Sequence, residues 1–452
     1  MPGLRRVLVA NRGEIAVRII RACLDEGIES VLVVSEADRE TAAAHLADRV
    51  VCIGPGPSTL SYLDVDRVMA AAVGTQCDGL HPGYGFLAER PDLAQACADN
   101  GITFVGPDAE TIRRGGDKIL ARALARESGV PVGSGSDALD DAAQATELAA
   151  SVGYPMLLKA AAGGGGRGMV LVERSEDLER AFAAASHEAQ QAFGDGRLYV
   201  ERYIRRARHV EVQILGDRFG NIVHLGERDC SMQRRFQKVV EEAPAPALDP
   251  EVRDRLHASA ISLATALSYV GAATVEFIVD ADTGYASFLE INTRVQVEHP
   301  VTELVTGIDI VRQQLRVAAG LPLSFTQEEV MFDGHAIECR INAEDPVRGF
   351  LPSPGTVSRW IPPQGGGVRV DSHVYGGYTI PPYYDSMIAK VLTHGADREQ
   401  AIARMRRALD HFVIEGVVTN RGFLADLISH PDFIDHRHST RWIEETYLSS
   451  HE

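Results

Sequence analysis

The chain has 452 residues, 45% hydrophobic and 24% charged, and 63 acidic against 45 basic residues give a formal net charge of −18. That length calls for two to four units around large cores, with the composition of an ordinary globular protein. The acidic balance speaks against general nucleic-acid or anionic-membrane binding, and no apolar run is long enough to span a membrane.

The opening stretch, MPGLRRVLVANRGE, has no apolar signal core. Strand-like and helix-like segments then alternate: RVLVA, a helix through EIAVRIIRACLDEG, SVLVVS, and later strands around DGLHPG and GITFVG. This rhythm predicts βα units on a parallel, Rossmann-like sheet with ligands near the strand ends. VANRGEIAVR stands where a dinucleotide fingerprint belongs, but it holds only Gly13, so that mode of binding is not expected. The six cysteines are scattered without a C-x-x-C pair and are expected to be reduced, mostly buried thiols of a cytoplasmic protein.

A helix is predicted near residues 117–129, after which GVPVGSGSDALDD has the composition of a linker. Units of 1–116, 131–204 and 205–452 follow from these breaks, with no internal repeat. The second unit contains LLKAAAGGGGRGMVLV, four consecutive glycines between two apolar runs. A bare backbone there suits either a surface loop or a cover for phosphates, since closely spaced N–H groups can approach anionic oxygens. Lys159 and Arg167 supply positive charge, but the run is neither a P-loop nor a G-x-G-x-x-G turn.

The third unit opens on HVEVQILGD, where His209, Glu211 and Gln213 alternate with Val210, Val212 and Ile214. DCSMQRRFQKVVEEAPAP adds Arg234, Arg235 and Lys238, a solvated basic patch or, in so acidic a chain, the wall of a cationic pocket. Cys230 beside them is expected to be a packed thiol. In ATVEFIVDADTGYASFLEINTRVQVEHPV, two apolar runs flank a turn and bring Glu276 opposite Glu290. Facing side chains have Cβ atoms roughly 4.5–5.5 Å apart, so two like charges there invite a divalent cation such as Mg²⁺. A solvated hairpin is the alternative. If the strand stays extended, Glu290, Asn292, Arg294, Gln296 and Glu298 share one face. HAIECRINAEDP places Glu338 and Arg340 together on one side of a further strand, and LPSPGTVSRWIPPQGGG is expected to form irregular turns.

Together these motifs resemble the biotin carboxylase family of the ATP-grasp superfamily over nearly the whole chain. The resemblance is carried by ANRGEIAVRIIRAC, HPGYGFLAE, GDK, KAAAGGGGRGM, RHVEVQILGD, ERDCSMQRRFQK, EEAPAP, EINTRVQVEHPVTE, ECRINAEDP, LPSPG and GYTIPPYYDSMIAK. It implies a mixed α/β fold: a Rossmann-like N-terminal domain, a central ATP-grasp lid, and a C-terminal ATP-grasp and biotin carboxylase domain. Matched motif by motif, Lys118 and Lys159 hold ATP phosphates, with Gly165 and Gly166 in the glycine cover. Glu201, Arg202, Tyr203 and Ile204 form the adenine hinge, with His209 and Gln233 near the nucleotide. Glu276, Glu290 and Asn292 match the ligands of Mg²⁺ or Mn²⁺. Lys238, Arg294 and the backbone of Val297 match the bicarbonate site, Glu298 the general base, and Arg340 the residue that meets biotin and departing phosphate. Phe236 replaces a histidine found in many members.

The implied activity is ATP-dependent carboxylation of biotin by bicarbonate through carboxyphosphate, the first half-reaction of an acetyl-CoA or acyl-CoA carboxylase. The implied partners are a biotin carboxyl carrier protein and a carboxyltransferase subunit, with the chain itself a cytoplasmic homodimer and no nucleic-acid or membrane partner. No AMKM-like biotinyl-lysine motif occurs, so the carrier is expected outside this chain. A different ATP-grasp ligase, such as a carbamoyl-phosphate-forming enzyme, would not need HPGYGF and ECRINAEDP together. A non-catalytic nucleotide sensor would not need Lys238, Glu276, Glu290 and Arg294 all present.

Overall fold

The computed structural model describes residues 3–133, 139, 141–161 and 168–449. Its fold is the expected mixed α/β one. The first sheet contains β1 (Arg6–Val9), β2 (Glu29–Ser35), β3 (Arg49–Gly54), β4 (Gly79–His81) and β5 (Thr103–Phe104), in the parallel order β3-β2-β1-β4-β5. Strand alternation sends Leu8, Val31, Val33 and Leu80 into one core and Val7, Val9, Leu32 and Val34 into another. A parallel sheet covered on both faces needs both.

Helix Gly13–Asp25 starts just beyond β1, entered through Gly13 at φ +71°, a conformation side chains resist. Ile15, Ile19 and Ile20 seat it on the sheet. Its buried charges reach the far side: Glu14 lies 3.1 Å from Lys390, and Arg18 2.8 Å from Glu303. The helix that carries nucleotide in a dinucleotide fold therefore fastens the first sheet to the large one.

A small antiparallel sheet holds β6 (Met156–Ala160), β7 (Met169–Val172) and β8 (Leu198–Arg202) in the order β7-β6-β8. Leu158, Val172 and Val200 pack on Phe182 and Ala189 of helix Leu178–Phe193. β6 and β7 pair up to Lys159↔Met169, so the glycine run connects the arms of a hairpin. The run itself, with Gly165, Gly166 and Arg167, lies outside the described residues, as do linker residues 134–138 and 140.

The large sheet is antiparallel throughout. It contains β9 (Ala207–Gly216), β10 (Ile222–Arg234), β11 (Gln237–Ala243), β12 (Gly271–Asp280), β13 (Ala286–Asn292), β14 (His335–Asn342), β15 (Val368–Ser372) and β16 (Met387–Gly395). Their order is β13-β12-β9-β10-β11-β14-β16-β15. On one face Val210, Val212, Ile214, Val275 and Phe277 meet Leu256 and Leu263 of helix Pro250–Ala266. Further along, Ile337, Cys339 and Ile341 meet Met405 and Leu409 of helix Arg398–His411. The opposite face carries the polar members of each alternation, and it too is mostly buried. LPSPGTVSRWIPPQGGG forms only short pairings, such as Gly355–Thr356 with Thr379–Ile380. Five cysteines are buried free thiols, while Cys52 is exposed. Among the described residues no helix is long and apolar enough to cross a membrane.

Candidate active site

The polar face of β9 through β14 gathers a chain of charges. Its floor is Arg228 of β10, fully buried, whose guanidinium donates to Glu211 Oε1 (2.6 Å), Gln213 Oε1 (2.8 Å), Thr302 Oγ1 (3.0 Å) and Thr274 Oγ1 (3.2 Å). Each of its three nitrogens meets an oxygen, as burial of a guanidinium demands. Removing one partner of such a buried pair costs about 3–5 kcal/mol, because the other charge is left uncompensated.

Above it, Lys238 Nζ donates to Glu211 Oε2 (2.6 Å), Glu276 Oε1 (3.0 Å) and Glu298 Oε1 (2.6 Å). Burial alone would lower the lysine pKa, but the three carboxylates outweigh it and hold the ammonium charged. Glu298 accepts from Lys238 on one oxygen and from Arg340 Nη2 (3.0 Å) on the other. Burial would raise its pKa, and the surrounding cations keep it well below the usual carboxylate range. Arg340 in turn donates through Nε to Glu241 Oε1 (2.6 Å). Burial pushes the Glu241 carboxyl up to about 7 against the pull of Arg340. Glu241 faces Glu338 across the β11–β14 ladder, and burial raises the Glu338 carboxyl as well. Glu338 shares a strand face with Arg340 but makes no hydrogen bond to it, so the two do not form a structural pair.

Glu276 of β12 and Glu290 of β13 stand opposite each other. The facing arises through a bulge. Phe277 pairs with Phe288 and Glu276 with Glu290, leaving Leu289 as the extra residue. Glu276 also lies 2.8 Å from His209 Nε2, whose Nδ1 contacts Gln233 Nε2 at 2.7 Å. Burial and the Glu276 charge both push the Glu290 carboxyl up, and its nearest cation is Lys118 Nζ at 3.8 Å. Two oxygen-donor acids that repel each other at this spacing fit a divalent cation of the Mg²⁺ or Mn²⁺ kind. Asn292 donates to Glu276 Oε1 (2.9 Å), and its own oxygen accepts from Arg294 Nη2 (3.2 Å).

The strand does not stay extended beyond Asn292, contrary to the alternation argument. Residues 293–298 turn, and Glu298 immediately precedes helix His299–Thr306 without capping it through its side chain. The side chains nevertheless converge: Arg294 Nη1 donates to Gln296 Oε1 (3.1 Å), and Gln296 reaches Glu276 Oε1 at 3.4 Å. Arg294 Nε also donates to Glu89 Oε2 (2.8 Å), from the loop after β4. The Val297 carbonyl accepts from Lys390 Nζ (2.7 Å).

In the small sheet, Lys159 of β6 donates to Glu201 of β8, which also accepts from Arg122 of helix Lys118–Glu127. Beyond Glu201, Arg202 is exposed and Ile204 half-buried, while Tyr203 N donates to Pro155 O (3.2 Å) and Tyr203 Oη accepts from Arg441. Gly165 and Gly166 lie outside the described residues.

Arg234 and Arg235 do not line the pocket. Arg234 lies 3.7 Å over the Phe350 ring, and Arg235 sits with Phe236 at the exposed tip of the β10–β11 hairpin, both at positive φ. Cys230 is a packed thiol pushed well above its usual pKa by burial. The alternation missed Glu89, Glu241, Arg122 and Arg228, each a partner from another element. EEAPAP and HPGYGFLAE contained the two acids, but only their pairing in space reveals them. In chemical terms, each cation leans on a carboxylate that an anionic substrate could replace: Lys118 on Glu290, Lys159 on Glu201, Lys238 on Glu298, Arg294 on Glu89, Arg340 on Glu241. Such a site suits the meeting of several anions.

Residues 3–112 match the model of the biotin carboxylase N-terminal domain, and residues 338–445 that of the biotin carboxylase C-terminal domain. Residues 117–326 match the ATP-binding domain of the carbamoyl-phosphate synthase L chain. The chain is 51% identical over 442 residues to biotin carboxylase 1 of Bacillus subtilis, covering 98% of each chain. Its fold is similar to the biotin carboxylase–β,γ-ATP complex of Campylobacter jejuni, with TM-score 0.94, 48% identity and 99% of both chains covered. It is also similar to the biotin carboxylase domain dimer of Hydrogenobacter thermophilus 2-oxoglutarate carboxylase with MgADP, ADP and bicarbonate, at TM-score 0.93 and 46% identity over 98% of both chains.

Proposed function

The chain belongs to the biotin carboxylase family and is an ATP-dependent biotin carboxylase, and we propose from that premise which of its residues perform each part of the reaction. Bicarbonate is a poor electrophile until one of its oxygens is phosphorylated, so two anions must be brought together. Lys118 and Lys159 bind the ATP phosphates, with Gly165 and Gly166 over them. Glu201 to Ile204 present the backbone edge to adenine, beside His209 and Gln233. Glu276, Glu290 and Asn292 would hold Mg²⁺ or Mn²⁺, which when bound neutralises charge on the phosphate oxygens. The repulsion of the facing acids supports this assignment.

Lys238, Arg294 and the Val297 N–H hold bicarbonate with its proton towards Glu298. As Lys238 and Arg340 turn from Glu298 to the substrate anions, its carboxylate gains basicity and takes that proton. The bicarbonate oxygen then attacks the γ-phosphorus, and the bond to ADP breaks. Carboxyphosphate next loses its C–O bond to give CO₂ and phosphate. The phosphate removes the ureido N–H proton of biotin, and the nitrogen attacks CO₂. Arg340 holds the phosphate and the ureido oxygen during this second step.

The observation that carries the assignment is the line Lys238–Glu298–Arg340, in which one carboxylate is shared by two cations at 2.6 and 3.0 Å. We assign 1–116 to the Rossmann-like domain, 131–204 to a lid, and 205–452 to the remaining ATP-grasp and C-terminal part. A biotin carboxyl carrier and a carboxyltransferase, on another polypeptide or on a part outside this sequence, complete the carboxylase, and a cytoplasmic homodimer fits the dimeric relative. Which acid or thioester finally receives the carboxyl group is decided by the carboxyltransferase.

Arg340→Ala tests the split between the half-steps. It should keep ATP affinity and the slow bicarbonate-dependent ATP cleavage, while biotin carboxylation falls about a hundredfold or more, the signature of a contact made in one transition state. An equal fall in both activities, or a loss of ATP affinity, would remove Arg340 from the second step.

A further inference from the structure

The Glu201 carboxylate accepts from two cations at once, Lys159 on one oxygen and Arg122 on the other. Arg122 and Lys159 are both buried, 7% and 9% exposed, and both lie near the Tyr199 ring, at 5.2 and 6.0 Å from its centroid. Arg122 stands one turn after Lys118 on helix Lys118–Glu127, so the two cations share one helix face. Its Nη2 has no hydrogen-bond partner among the described residues, an orphan donor in a buried guanidinium. Burial alone would raise the Glu201 pKa, and Lys159 and Arg122 together hold it down.

While Glu201 neutralises the Lys159 charge, a phosphate gains less from that ammonium. If Lys159 were the only counter-ion, turning to ATP would strand a buried carboxylate, and the cost would be charged against nucleotide binding. We propose that Arg122 is a positioning residue for nucleotide binding: it keeps Glu201 compensated and thereby releases Lys159 to the ATP phosphates. This deepens the reading of Lys159 as a phosphate-binding residue and rests on it. Arg122 suits the task because a guanidinium keeps its charge and can turn the unused Nη2 onto the oxygen that Lys159 vacates.

The test is Mg²⁺-dependent binding of a non-hydrolysable ATP analogue, measured by calorimetry, alongside steady-state KM values. Arg122→Met should raise the Kd and the KM for ATP about tenfold, the weakening expected from one charged hydrogen bond, and leave the KM for bicarbonate unchanged. Arg122→Lys should restore most of the affinity. In the double variant Arg122→Met/Glu201→Gln, the neutral amide no longer retains Lys159, and ATP affinity should recover. An Arg122→Met protein with unchanged ATP affinity, or a double variant no better than the single one, overturns the proposal. A simple phosphate contact by Arg122 would give the latter result. Should Arg122→Met not fold, a nucleotide-bound structure of the unaltered protein decides: Lys159 still on Glu201 contradicts the handover. Failure of the parent reading looks different, since the unaltered protein would then lack bicarbonate-dependent ATP turnover.

Discussion

Glu290 shows most directly what the polar face is built to receive. It is acidic, half-buried, opposite Glu276, and 3.8 Å from Lys118. Glu276 has donors on both oxygens, whereas Lys118 stands 3.8 Å from Glu290. Glu290→Gln should therefore leave the fold intact in a thermal melt while Mg²⁺-dependent ATP turnover falls at least about a hundredfold. Near-normal turnover of the variant at low Mg²⁺ would show that the pair does not hold the metal. At this scale the sequence was informative about which residues matter and poor at who meets whom. Lys238, Glu298 and Arg340 stood out by motif, but Glu241 and Glu89 act from other strands and loops. Alternation tells which way a side chain faces, not what stands opposite it.

At the level of elements, the β12–β13 hairpin depends on one unplanned residue. Ala286 and Phe288 point into the core, and by simple alternation Glu290 and Asn292 would follow them. Leu289 shifts the phase, so that Glu290 and Asn292 reach the site and Ile291 takes the core position. The pattern ASFLEIN contains this signal: two apolar residues in succession, Phe288 and Leu289, where alternation asks for one. The end of β13 at Asn292 had no such mark, and residues 293–298 reach the site by turning rather than by staying extended. The small sheet bears a different prediction. It carries Lys159 and Glu201, and the lid proposed for it would close over nucleotide. Limited proteolysis should cleave the 131–204 segment more slowly with Mg²⁺ and an ATP analogue than without. Bulky residues at Gly165 and Gly166 should abolish that difference, and equal cleavage in both states would contradict closure.

Over the whole molecule, an acidic chain of net charge −18 encloses a cluster of lysines and arginines on one sheet face. The parallel sheet and the separate hairpins were legible from local periodicity, because strand and helix patterns are short-range, but the eight-stranded antiparallel sheet was not. Neither was the attachment between the sheets. It runs through buried charges, Glu14 with Lys390 and Arg18 with Glu303, whose partners are hundreds of residues away in the chain. The role of the Gly13 turn as an anchor rather than a nucleotide loop follows from these contacts alone. The central chemical claim is that an oxygen of bicarbonate, held by Lys238 and Arg294 and deprotonated by Glu298, attacks the γ-phosphate. Turnover of ¹⁸O-labelled bicarbonate with ATP and biotin tests it most directly. The account predicts one labelled oxygen in each phosphate released and the other two in carboxybiotin. Phosphate free of label, or ATP cleavage at the same rate without bicarbonate, would contradict it.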